Sequence, residues 1–204
     1  MNGFIDAIRE DNATALSRLG SSKALYADTA GELEPETVFA AAADAEYAAA
    51  ETFSVWADDE KDAAAADAFA ATAAEERGHY ETVAAELDGH DPSHVPAIQT
   101  YLRGLADTPE RIGSFIGRIL VAEKSKEQLT GFFVGQADPK TASLFRSMGA
   151  DLDAQLERAG ELLDALNETE YERAKAAADE AIQTAYAEYT EQLESMGVNP
   201  KPVC

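Results

Sequence analysis

The chain has 204 residues, and its 39 Asp and Glu against 16 Lys and Arg give a formal charge of −23. Such a surface repels phosphate backbones and anionic lipid, so nucleic acid and membrane are excluded as expected partners. No apolar run approaches the roughly 18 residues of a membrane span, and MNGFIDAIREDN has neither the basic nor the apolar region of a signal peptide, so a cytoplasmic location is expected.

The acids are spread over helix surfaces instead of gathered in one tail. Self-repulsion of that kind is screened at molar salt, where the Debye length is about 3 Å, and the composition resembles that of cytoplasmic proteins from salt-loving organisms. The single cysteine, Cys204, is the last residue. It allows no internal disulfide and no Cys-pair zinc site, and it lacks the three following residues of a prenylation box. An exposed thiol or an intermolecular disulfide is left for it. No Pro/Gly/Ser-rich linker divides the chain, so one domain over 1–204 is expected.

Residues 3 to 19, with Phe4, Ile8, Leu16 and Leu19 ahead of Gly20, read as a short amphipathic helix, and 22–30 as a second. Both read as packing elements or an oligomer contact. The first long helix is expected from about Pro35 to Ala57, where Phe39, Ala42, Ala49 and Phe53 form an apolar stripe centred on Glu46. A short break at Asp58-Asp59 predicts an antiparallel hairpin with the next helix.

That second long helix holds the stretch Phe69 to Leu87. Phe69, Thr72, Ala73, Tyr80 and Val83 share a face with Glu76, and His79 lies one turn on. A carboxylate and an imidazole therefore project side by side from a face that should be dry. Burying an ionised carboxylate costs several kcal/mol unless it is paired or coordinated, so Glu76 needs a partner from elsewhere in the chain.

Residues 88–109 contain two glycines and three prolines, long enough for a crossover, with a short helix expected at about 97–105. His90 and His94 lie there; they fit a solvated loop, or a surface metal site with Asp88 or Asp91. A third long helix is expected at about 110–136, with Ile112, Ile116, Ile119 and Leu120 leading to Glu123. The fourth, about 139–166, has a stripe of Leu144, Met148, Leu152, Leu156 and Leu163 with Asp151 and Gln155 beside it. A last helix, 170–196, carries Tyr171, Ala174, Ala178, Ala181, Ala185, Tyr189 and Leu193 on one face, followed by a tail at 197–204.

Glu46, then Glu76-x-x-His79, then Glu123, with a long connection after the second helix, resembles the ferritin-like superfamily and rubrerythrins most closely; AAEERGHYETV is similar to their second-helix motif. The resemblance covers about 35–166 and implies an all-α fold: an antiparallel four-helix bundle with a long crossover, flanked by short N-terminal helices (3–31) and an additional C-terminal helix. It implies Glu46, Glu76, His79 and Glu123 as metal ligands, with Asp151 as a fifth where the fourth-helix Glu of the family belongs. In the family two irons are held by a Glu from each of two helices and a Glu-x-x-His from each of the other two. Here the second Glu-x-x-His is absent, Lys126 stands where rubrerythrins have a further Glu, and the four cysteines of a rubredoxin-like module are missing.

With fewer carboxylates than two divalent ions require, one Fe is expected over two, with Mn or Zn as other fitting ions. The alternative is a metal-free polar network in which Lys126 pairs with Glu123 and Glu76. Two functions follow. One is a peroxide- or oxygen-linked oxidoreductase or iron handler, with Tyr47, Tyr80 or Trp56 near the site and an electron-donor protein as partner. The other is a scaffold without metal that serves as a structural or protein-interaction module. A homodimer is expected in either case.

Overall fold

Prolines and small polar caps set where the long helices begin. The structure is a computed structural model that describes residues 2–201; Cys204 and the end of the tail lie outside the described residues. Among the described residues it is all-helical: α1 Asn2–Asp11, α2 Ala13–Leu19, α3 Ser22–Asp28, α4 Pro35–Asp59, α5 Ala63–Ala84, α6 Ala97–Arg103, α7 Thr108–Gly135, α8 Pro139–Leu163 and α9 Glu168–Ser195. Pro35, Pro109 and Pro139 occupy first-turn positions, where their missing N–H costs nothing. Asp62 and Asp138 accept from the backbone N–H of Ala65 and Thr141, and Asn167 forms a reciprocal capping box with Glu170.

The first expected helix is two. The chain breaks at Asn12, a buried side chain that donates to Ile8 O at 3.0 Å and to Asp179 Oδ1 at 2.6 Å, while accepting from Gln183 Nε2 at 2.7 Å. A buried amide must satisfy its bonding groups, and here the partners on α9 outweigh helical continuity. The second long helix starts six residues before Phe69, at Ala63.

Cross-helix pairs give the directions of the long helices. Tyr47 packs on Tyr80 and Phe53 on Phe69, so α4 and α5 are antiparallel. Phe39 meets Phe133 while Phe53 meets Phe115, so α7 is antiparallel to α4 and runs with α5. The segment between α5 and α7 must then travel back along the molecule, as the crossover reading expects. Within it, α6 is fastened to α4: Arg103 donates to Thr52 Oγ1 and Ala48 O, and Trp56 Nε1 to Leu102 O. α8 returns antiparallel to both α5 and α7, through His79–Asp151, Glu76–Gln155 and Phe133–Phe145.

α9 lies on the outer side of α7, closer than ordinary helix spacing allows. A Cβ on Gly113 would fall 1.8 Å from Ala174 O, and one on Gly117 2.5 Å from Ala178 O. Only glycine permits that approach, and the facing alanines complete it. Because α7 is covered by α8 on one side and by α9 with the N-terminal helices on the other, it buries residues nearly all round its first half. No helix among the described residues is long and apolar enough to cross a membrane.

Candidate functional site: a buried cluster of carboxylates and histidine

Glu46 and Glu76 occupy the middle of the antiparallel α4–α5 pair, one with 2% and the other with 0% of its surface exposed. The helical stripes described above place both inward, and His79 follows one turn after Glu76. Ligand atoms of Glu46, Glu76 and His79 all lie within 4.8 Å of one another, and among the described residues no other such group of three potential metal ligands comes together. These donor types are ones that bind metal ions.

Two cations from α7 share the site. Arg118 grips Glu76 in a fork, with Nη1 2.8 Å from Oε1 and Nη2 2.7 Å from Oε2, and Gln155 Nε2 donates to Oε1 at 2.7 Å. The guanidinium also donates to Gln155 Oε1 at 3.2 Å and lies over the Phe53 ring. Lys126 Nζ donates to Glu46 Oε1. Arg118 and Lys126 are themselves buried, 6% and 5% exposed. Each buried carboxylate therefore has its own buried cation, the condition under which charge in a protein interior is tolerable.

His79 completes the cluster. Its Nε2 is 3.0 Å from Asp151 Oδ2, and its Nδ1 is 3.5 Å from Glu46 Oε2 and 3.9 Å from Glu76 Oε2. Burial opposes protonation of the ring, but the Glu46 carboxylate beside Nδ1, then the charge of Glu76 and the hydrogen bond that Nε2 donates to Asp151, outweigh it and raise the pKa. For Glu46, burial would raise the pKa; Lys126 and His79 overcome it and hold the carboxyl well below the usual range. With His79 protonated, three cations (Arg118, Lys126, His79) face three carboxylates (Glu46, Glu76, Asp151).

A resident metal ion does not fit this arrangement as it stands. Both oxygens of Glu76 and Oε1 of Glu46 are taken by Arg118, Gln155 and Lys126. Within the cluster, Glu46 Oε2 and His79 Nδ1 are the atoms bonded to no other group, and they face each other at 3.5 Å. Two donors beside two fixed cations are a poor cage for a divalent ion.

Of the five expected ligands, the structure brings together Glu46, Glu76 and His79. Asp151 reaches His79 from the rim, its side chain 53% exposed. Glu123 is a correction: it points away, accepting from Arg9 Nη2 at 3.1 and 3.0 Å, and its burial raises its pKa against the pull of Arg9. The expected Lys126 pairing is corrected as well, from Glu123 and Glu76 to Glu46. Two stripes share α7, which is why the choice of Glu123 fails. Ile112, Ile116 and Ile119 lead to Glu123 on the side where Arg9 of α1 arrives, whereas Phe115, Arg118, Lys126, Leu129 and Phe133 form the stripe toward α4, α5 and α8. An apolar pattern does not single out a cation such as Arg118; its place between Phe115 and Leu129 at helical spacing is the signal the sequence carries for it.

The other candidates have packing roles. The His90 side chain is 6% exposed and sits 3.3 Å from Asp44 Oδ1, with Ser93 donating to the same carboxylate, so it pins the crossover to α4 instead of forming a site with Asp88 or Asp91. His94 is half-exposed beside Glu188. Tyr47 and Tyr80 pack edge to face, and Trp56 is enclosed by Phe53, Phe69 and Arg111.

No protein-family model, curated protein or solved structure matches this chain.

Proposed function

We propose that the chain is a ferritin-like helical scaffold that works without a metal, as a binding or structural protein and not as an oxidoreductase. One observation carries this reading: the positions facing Glu46 and Glu76 on the third long helix are held by Lys126 and Arg118, whose fixed charges do the neutralising that metal ions do in a carboxylate centre. A divalent ion 4 Å from either cation would be repelled by about 8 kcal/mol at an effective dielectric of about 20. Coordination would have to recover that before adding any affinity. The antiparallel α4–α5 and α7–α8 pairs and the long return between them support the ferritin-like description of the scaffold.

The second reading, a rubrerythrin-like protein with one Fe, Mn or Zn, is favoured by two adjacent buried donor atoms that neither Arg118, Lys126 nor Gln155 occupies, Glu46 Oε2 and His79 Nδ1. It requires Lys126 or Arg118 to swing away and His79 to lose its proton. Elemental analysis at pH 8 after incubation with Fe(II), Mn(II) or Zn(II), beside His79→Ala, separates the readings. The scaffold reading expects far less than one ion per chain and a melting temperature indifferent to chelator. One ion per chain, lost in His79→Ala, overturns it.

A further inference from the structure

The aromatic pairs that join α4 to α7 stand toward the two ends of these helices. Phe39 meets Phe133 with ring centroids 4.8 Å apart, and Phe53 meets Phe115 at 5.1 Å. Between these props the two helices present small residues to a common space, Ala42 and Ala45 from α4 and Ala122 and Ser125 from α7. Rings at either end hold the backbones further apart than such side chains can fill, and a cavity of about 190 Å³ is left. Residues of α3, α6 and α9, among them Leu25, Ile98 and Ala185, complete its mostly apolar wall. A cavity of about 150 Å³ accommodates benzene, so this one suits a ligand of roughly six to eight heavy atoms.

Charges on the inner wall are matched within the protein. Lys126 donates to Glu46 and Arg118 to Glu76, Asp44 holds His90 and the Ser93 N–H, and Glu188 accepts from Ala97 N with His94 3.5 Å away. Asp28, the remaining carboxylate on the lining, is exposed and keeps its water. A charged ligand would shed its hydration in this chamber without gaining an unmatched counter-charge, at a cost of several kcal/mol. Hydrogen-bond donors, by contrast, are left over. Among the described residues the Ser125 hydroxyl has no hydrogen-bond partner, and it lies about one helical turn from Val121, Ala122 and Leu129, at the middle of the α7 face that lines the cavity. Beside it, the Lys126 ammonium carries three donor hydrogens, and its one acceptor is Glu46 Oε1.

An apolar chamber with spare donors and internally matched charges is complementary to a neutral molecule that accepts. We infer that this cavity binds a small neutral carbonyl compound, a ketone or ester, its oxygen taken by Ser125 and Lys126 and its hydrocarbon body lodged between α4 and α7. The carbonyl oxygen offers two lone pairs to donors that lack acceptors. The hydrocarbon supplies the contacts that alanines on both walls leave unmade, and removes apolar surface from water. This rests on the reading of the chain as a metal-independent binding scaffold, and the two fail separately, one by metal uptake and the other by absence of ketone binding with chelator present.

The test is calorimetric titration of the full chain, at pH 8 with chelator present, with three ligands matched in size: hexan-2-one, hexylamine and pentanoate. It is repeated with Ser125→Ala, which removes one donor, and with Ala122→Leu and Ala45→Leu, which fill the chamber from opposite walls; circular dichroism and melting curves show which variants fold. The expected result is binding of hexan-2-one at least tenfold tighter than of either ion, loss of all binding in whichever filled variant folds, and a loss of about three- to tenfold in Ser125→Ala, the range of one neutral hydrogen bond. Failure of hexan-2-one to bind at millimolar concentration overturns the proposal, as does binding that survives filling of the chamber or is unchanged in Ser125→Ala. Tighter binding of pentanoate also overturns it and assigns recognition to the charge of Lys126, while tighter binding of hexylamine overturns it in favour of the carboxylates.

Discussion

Arg118→Met isolates the central ion pair. The substitution keeps most of the side chain's length and apolar contact with Phe53 but removes both bonds to Glu76, at 2.8 and 2.7 Å. Glu76 has none of its surface exposed, so water cannot replace them, and the remaining donor is Gln155 Nε2 at 2.7 Å. Removing one partner of a buried pair costs about 3–5 kcal/mol, most of it the penalty of a stranded charge. For a chain of this size that corresponds to a fall of roughly 6–20 °C in melting temperature. Adding Glu76→Gln removes the stranded charge, and the double variant should recover at least about 2 kcal/mol, a coupling read from the double-mutant cycle. Denaturant unfolding at low and at molar salt is the assay, and the loss should be the same in both because solvent ions do not reach the pair. A loss below about 1 kcal/mol, or no recovery in the double variant, would show that Arg118 is not what makes a buried Glu76 tolerable.

Gly113→Ala should destabilise by more than about 1 kcal/mol although alanine is the better helix former, because its Cβ would meet Ala174 O; a stabilised variant in denaturant melts would mean that α7 and α9 do not pack this closely. The raised pKa of His79 makes its contribution to stability fully present below about pH 6.5, the value expected in the unfolded chain, and lost as pH rises through the folded value. Unfolding free energy of the wild type should therefore decline above pH 6.5 by more than that of His79→Gln, and parallel profiles would refute the protonated ring between Glu46 and Asp151. Arg9→Ala removes the partner of Glu123, a bond whose cation is nearly half exposed, and should cost no more than about 1 kcal/mol in the same melts. A loss as large as that of Arg118→Met would return Glu123 to the centre of the protein.

The sequence by itself determined the helices, their approximate limits and the inward placement of Glu46 and Glu76. Local physics suffices for these: apolar residues at helical spacing, prolines in first turns, and Asp or Asn caps ahead of them. His79 followed from its one-turn offset from Glu76. A crossover was legible because residues 88–109 cannot continue a helix past their prolines. Tertiary structure alone decided which face of α7 meets the carboxylates. α7 is buried on two sides, so its apolar pattern marks two stripes, and the partner helices choose between them: α1 brings Arg9 to Glu123, while α4 and α5 bring Glu46 and Glu76 to Lys126 and Arg118. The break at Asn12 and the Gly113–Ala174 contact likewise depend on α9, more than 150 residues distant from Asn12 in the chain and invisible to any local pattern.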